Sequence, residues 1–151
     1  MGRLGWKSWN KRKIALAALL ALGLAQLIPV ERTNPAVESE VPAPPEVREI
    51  LRRSCYDCHS NESRWPWYAH VAPISWLVVY DVNHAREHLN FSTWNAYGRK
   101  ERAENLEEAW EEVEEGEMPL WIYRPLHPEA RLSDADKRAL RDWALSASQA
   151  R

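Results

Sequence analysis

The sequence predicts an all-α domain preceded by an N-terminal transmembrane helix. Three observations carry that expectation. Four stretches repeat apolar residues at helical spacing, no stretch shows the alternation or turn chemistry of a strand pair, and one long apolar run lies near the N-terminus. Charge divides the chain in the same place. Residues 1–30 hold five basic residues (Arg3, Lys7, Lys11, Arg12 and Lys13) and no acidic one, while residues 31–151 hold 15 basic and 22 acidic, a net of −7. An acidic body lacks the basic face that nucleic acid requires, and so argues against a nucleic-acid partner.

The apolar run, residues 14–30 (IALAALLALGLAQLIPV), is 17 residues long and follows Lys11-Arg12-Lys13. That length is at the short limit for a membrane span. A cleaved signal peptide with Gly23 and Ala25 before the cut is the competing reading. The run continues through Leu27 and Ile28 past that cut and contains no Ala-x-Ala, which favours an anchor. Either way the basic flank stays in the cytoplasm and the body is exported. Residues 31–45 (ERTNPAVESEVPAPP) hold four prolines and read as a linker of about 45 Å, a short leash for the body.

The domain proper spans residues 46–151. Residues 45–54 open on Pro45, suited to a first helical turn, and carry a Val47, Ile50 and Leu51 stripe leading into Cys55. Residues 73–89 again open on a proline and predict a helix in which Ile74, Leu77, Val78, Asp81, Val82 and Ala85 recur at helical spacing. Residues 100–115 are a charged helix with a narrow stripe of Ala103, Leu106, Trp110 and Val113, closed by Gly116. Residues 133–147 open on a capping-box-like pair, Ser133 and Asp136, and bury Ala139, Leu140, Trp143, Ala144 and Ala147.

Nine tryptophans stand against one phenylalanine. They can build a small core, or stack on a flat cofactor. Both cysteines lie in one window, Cys55-Tyr-Asp-Cys58-His59. Cysteines at i and i+3 of a tight helical turn put both sulfurs on one side, a spacing that suits thioether bonds to two haem vinyl groups. The histidine that follows is placed to ligate iron. C-x-x-C-H is the signature of covalent haem attachment, so the expected cofactor is one haem c. A thioredoxin-like redox pair needs an α/β context that is missing here. Zinc needs two further ligands, which His84 and His88 could supply.

Met118, in Gly116-Glu-Met-Pro119, is the expected sixth iron ligand, because a thioether favours ferrous iron as electron carriers require. The competitors are His70, His84, His88 and His127. An iron left open on that side points instead to a peroxidase-like haem enzyme or a haem-based sensor. Trp65 and Trp67 are expected to cover the haem edge or fill core, and Arg64 and Arg124 to pair with propionates. The nine glutamates between Glu101 and Glu117 read as a solvated helix face or as a docking patch for a basic redox partner. The Asn-x-Ser matches at Asn61 and Asn90 read as accidental.

These residues resemble a bacterial family of haem-binding-domain proteins with a single C-x-x-C-H. The match runs through Cys55-Tyr-Asp-Cys58-His59-Ser-Asn-Glu, Trp65-Pro-Trp67-Tyr68, Ser75-Trp76, His88-Leu-Asn-Phe91-Ser, Gly116-Glu-Met118-Pro119 and His127-Pro-Glu-Ala-Arg-Leu-Ser133-Asp, and extends to Arg32-Thr33-Asn34-Pro35. The order of elements also resembles class I cytochromes c, with a Trp-rich insert after His59 as a departure. The resemblance implies a periplasmic, single-pass, membrane-tethered mono-haem domain with His59 and Met118 on iron. It supports haem binding more firmly than electron transfer, and it is Met118 that makes an electron carrier expected more than an enzyme.

Overall fold

The computed structural model describes residues 11–149, so Arg3 and Lys7 of the basic tip lie outside the described residues. Six α-helices follow in order: α1 (Lys11–Ala25), α2 (Pro45–Ser54), α3 (Tyr56–His59), α4 (Ile74–His88), α5 (Arg99–Glu115) and α6 (Asp134–Gln149). Short 3-10 turns occupy Trp67–His70, Trp94–Ala96 and Pro128–Ala130. The only β-pairing among the described residues is one isolated parallel bridge, Ser39 to Thr93. The all-α expectation therefore holds. The chain forms two compact units: one of the residues up to Glu31 with Pro66–Val79, the other of Arg32–Trp65 with the residues from Tyr80 onward.

In the first unit, α1 is 15 residues long and buries none of them. At about 1.5 Å per residue it spans about 22 Å, against roughly 30 Å of bilayer hydrocarbon. Among the described residues no helix is long and apolar enough to cross a membrane. The helix stops short of the 17-residue run for a local reason. Pro29 has no N–H and disfavours helical geometry at Ile28, and residues 26–28 close in turns onto Leu22, Gly23, Leu24 and Ala25 carbonyls. The Gln26 side chain donates from Nε2 to Leu22 O and to Ala72 O, both at 3.0 Å, and its Oε1 accepts from Ala72 N at 3.0 Å.

The second unit is built on α2, α5 and α6. α6 packs against both α2 and α5. Its start is the reciprocal cap the sequence implies: Ser133 N donates to Asp136 Oδ2 at 2.8 Å and Asp136 N to Ser133 Oγ at 3.2 Å. α5 closes on Gly116 at φ 82°, a left-handed conformation that glycine adopts without strain. The core joins Val47, Ile50 and Leu51 of α2 to Leu106, Val113, Leu140, Trp143 and Ala144, with Trp94 and Phe91 between.

Two expectations are corrected. α4 has the helical period, but of its six spaced residues only Val82 is buried, Val78, Asp81 and Ala85 are half-buried and Ile74 and Leu77 are exposed, while Ser75 and Val79 are buried in addition. Residues 31–45 lack regular structure, as prolines dictate, but from Arg32 onward they belong to the second unit. Glu38 N and Ser39 N donate to Ser92 O, Trp94 N donates to Ser39 O, and Trp143 Nε1 donates to Pro42 O. Val41 is only 2% exposed. These bonds satisfy an extended backbone that would otherwise need water.

Candidate functional site

The site begins where α2 ends. Cys55 N donates to Leu51 O at 2.8 Å, Cys58 N to Cys55 O at 3.2 Å and His59 N to Cys55 O at 2.9 Å. The backbone thus makes one more helical turn, α3, which sets Cys55, Cys58 and His59 at i, i+3 and i+4, neighbours on a helical surface. Both thiols are free. Burial, reinforced for Cys55 by Cys58 and for Cys58 by Asp57 and Asp81, pushes each up to about 12. Both therefore stay protonated at neutral pH. A disulfide-exchange pair is tuned in the opposite direction.

His59 Nδ1 lies 3.0 Å from Leu89 O. A carbonyl only accepts, so Nδ1 carries the proton and Nε2 keeps its lone pair. Burial lowers the pKa of the ring, against the opposing pull of hydrogen bonds to Leu89 and Ala85. A neutral imidazole, oriented through its Nδ1–H by a backbone carbonyl, is the form that binds a metal.

A polar lock holds this geometry. Phe91 N donates to His59 O at 2.8 Å, Asn61 N to Ser92 Oγ at 2.9 Å, and Asn90 Nδ2 to Asn61 Oδ1 at 2.9 Å. Asn61 and Asn90 are buried, so neither Asn-x-Ser match presents a glycosylation acceptor. Arg86 donates from Nε to Ser60 O at 2.7 Å, from Nη1 to Thr33 O at 2.9 Å, and from Nη2 to Asn34 Oδ1 at 3.1 Å and Ser63 Oγ at 2.9 Å. Sequence reasoning missed Arg86 and the Leu89 carbonyl. The signal for them was the joint presence of Arg32-Thr-Asn-Pro and His88-Leu-Asn-Phe-Ser, whose partners only the fold reveals.

Met118 follows the glycine that ends α5, and its N–H returns to Glu112 O at 3.0 Å. Its side chain is half-buried, and both it and Cys55 pack against the same hydrophobic core. The loop beyond is tied to the cysteine turn. Tyr123 Oη donates to Asp57 Oδ2 at 2.8 Å, while Arg64 N donates to Asp57 Oδ1 at 3.0 Å and Ser63 Oγ to Asp57 O at 2.7 Å. Asp57, inside the C-x-x-C-H, is thus the hub that joins residues 63–64 to the loop containing Met118. The same loop exposes Trp121, Ile122 and Leu126.

Trp65 sits beside this hub with its indole N–H buried and without a partner. Trp67 belongs to the first unit, is 74% exposed, and packs edge-on against Tyr68 at 5.8 Å. His70 is also in the first unit. His84 and His88 meet edge to face at 4.6 Å on exposed α4 positions, and His127 stacks on Tyr123 at 3.9 Å. Arg64 is exposed, and Arg124 is half-buried in the Tyr123 loop. Among the described residues no group of three or more His, Cys, Asp or Glu side chains could hold a metal ion, so His84 and His88 do not complete a zinc site with the cysteines.

Two buried, protonated thiols, a neutral imidazole held at Nδ1 by a carbonyl, an unpartnered buried indole N–H and an exposed apolar loop make up, on a helical frame, a set suited to an organic cofactor. The set fits haem: sulfur for its vinyl groups, nitrogen for its iron, a donor for a carboxylate and apolar cover. The haem-binding domain family matches residues 20–146, and the chain belongs to that family. It is a haem protein. No curated protein and no solved structure matches the chain.

Proposed function

We propose that the chain is a membrane-tethered mono-haem c-type cytochrome carrying single electrons in the bacterial periplasm. Its haem c is attached through Cys55 and Cys58. One observation carries the reading: His59, one residue beyond the second thiol, is neutral and turned by the Leu89 carbonyl so that Nε2 is available. A bound haem supplies one-electron chemistry at its iron. The chain's own residues do the rest. His59 would offer Nε2 to the iron, Met118, on the loop that the Asp57–Tyr123 bond ties to the cysteine turn, would supply a second donor, and the Trp65 N–H would hold a carboxylate.

Two further features support the cellular setting. The helix α1 is apolar yet buries nothing, which suits a lipid surrounding better than water, and its basic start at Lys11-Arg12-Lys13 fits a cytoplasmic end. All but one of the nine glutamates in residues 101–117 are exposed, a surface that would steer a basic redox partner.

The test is expression with haem-maturation machinery, followed by haem staining of a denaturing gel. A stained band that is lost in Cys55→Ser/Cys58→Ser is expected; no covalent band overturns the proposal. In the oxidised protein the weak far-red absorption of a thioether–ferric bond should vanish in Met118→Ala. A spectrum indifferent to that substitution moves the reading to an open-sided haem enzyme or sensor.

A further inference from the structure

In the first unit, residues 66–79 (PWYAHVAPISWLVV) contain no Asp, Glu, Lys or Arg. Trp67, Val71, Ile74 and Leu77 follow one another at steps of four, three and three residues. Ile74 and Leu77 lie three residues apart on α4, while Trp67 belongs to the 3-10 turn Trp67–His70 and Val71 to the extended backbone that follows it. All four are exposed, at 74, 42, 48 and 48%. The interior of this segment is supplied by others, Ala69, Ala72, Ser75 and Val79, which are buried. The segment therefore buries mostly small residues and exposes large apolar ones. Water does not select such a face.

The position of the face identifies what covers it. Ala72 is bound at both its N–H and its carbonyl by the side chain of Gln26, at 3.0 Å in each bond. Gln26 is the residue directly after α1, the apolar helix that buries nothing. The paired amide bonds hold residues 66–79 at that end of α1, where a membrane-inserted helix meets the headgroups.

We propose that residues 66–79 are a second membrane contact, with Trp67, Val71, Ile74 and Leu77 lying in the headgroup–acyl boundary beside the end of α1. Tryptophan prefers that boundary, and a segment of 14 uncharged residues broken by a turn is too short to cross the hydrocarbon and is suited to its edge. The proposal rests on the membrane-tether reading above and gives the tether a second point of attachment.

The test uses the full chain in vesicles of phosphatidylethanolamine and phosphatidylglycerol, with a nitroxide at Leu77→Cys and an aqueous reference at Asn83→Cys. Unsubstituted protein is treated in parallel to subtract label on Cys55 or Cys58. Frequent collision with oxygen and severalfold rarer collision with a nickel chelate than at position 83 is the expected result. Quenching by brominated lipid that falls in Trp67→Ala agrees with it. Free access of the nickel chelate at position 77, in protein that still floats with the vesicles, overturns the inference and leaves the tether intact. Low access to both reagents means a protein surface or a second copy covers the face, which also overturns it. Protein that does not float at all overturns the inference and the tether reading together.

Discussion

The phenol of Tyr123 donates to the carboxylate of Asp57 at 2.8 Å, joining two segments 66 residues apart in the chain. One partner is inside the C-x-x-C-H turn and the other is five residues past Met118. Tyr123→Phe removes that bond and keeps the ring that stacks on His127. The expected loss is about 1 kcal/mol in urea unfolding. In haem-loaded protein the far-red Met118 band should weaken, since the loop loses its fixed distance to the cysteine turn. An unchanged band would separate Met118 placement from this bond.

Arg86→Lys should behave as a severe substitution. The guanidinium reaches Ser60, Thr33, Asn34 and Ser63 at once, and a single ammonium cannot reproduce that fork. A loss of about 2 to 3 kcal/mol is expected, from charged hydrogen bonds and stranded carbonyls. Denaturant midpoints of the wild type and the variant measure it.

Val41→Ala tests whether the proline-rich stretch is structural. Val41 is 2% exposed and packs with the main core. As a core truncation it should cost about 2 kcal/mol. A free linker residue would cost nothing measurable in the same unfolding experiment.

Asp136→Asn gives a pH signature. Burial alone would raise the Asp136 pKa, but hydrogen bonds from Ser133 and Arg53 outweigh it and hold the group below its ordinary 3.8. Arg53 Nη2 stands 2.6 Å from Asp136 Oδ1. A depressed carboxylate stabilises the fold above the unfolded value and ceases to do so as pH falls through the folded value. The variant should therefore melt below the wild type at pH 7, with the difference closing below about pH 4. Thermal melts across that range decide it.

The parts of this molecule that local chemistry governs were legible in the sequence. Pro45, Gly116 and the Ser133–Asp136 pair act on their own turns, and the helices they bound were expected within a residue or two. The phase of α4 was not legible, because Ile74 and Leu77 obey helical periodicity whether they face a core or something else. The docking of residues 33–43 was invisible for a similar reason: its partners, Ser92, Trp94, Arg86 and Trp143, are distant in sequence, and prolines report only that the stretch is extended. Within the site, the cysteine turn was plain. The Leu89 carbonyl that orients His59 could not be read, since any residue carries a carbonyl.

Arg86 grips Thr33 and Asn34 with one side of its guanidinium and Ser60 with the other. Any pull exerted along the chain from residue 31 reaches this arginine before it reaches the core. The load then divides between the body of α4 and the residue next to His59. In the tether proposed above Arg86 would act as a strain relief, taking up tension while the imidazole keeps its aim, and its removal would make the surroundings of His59 sensitive to tension on the N-terminal segment.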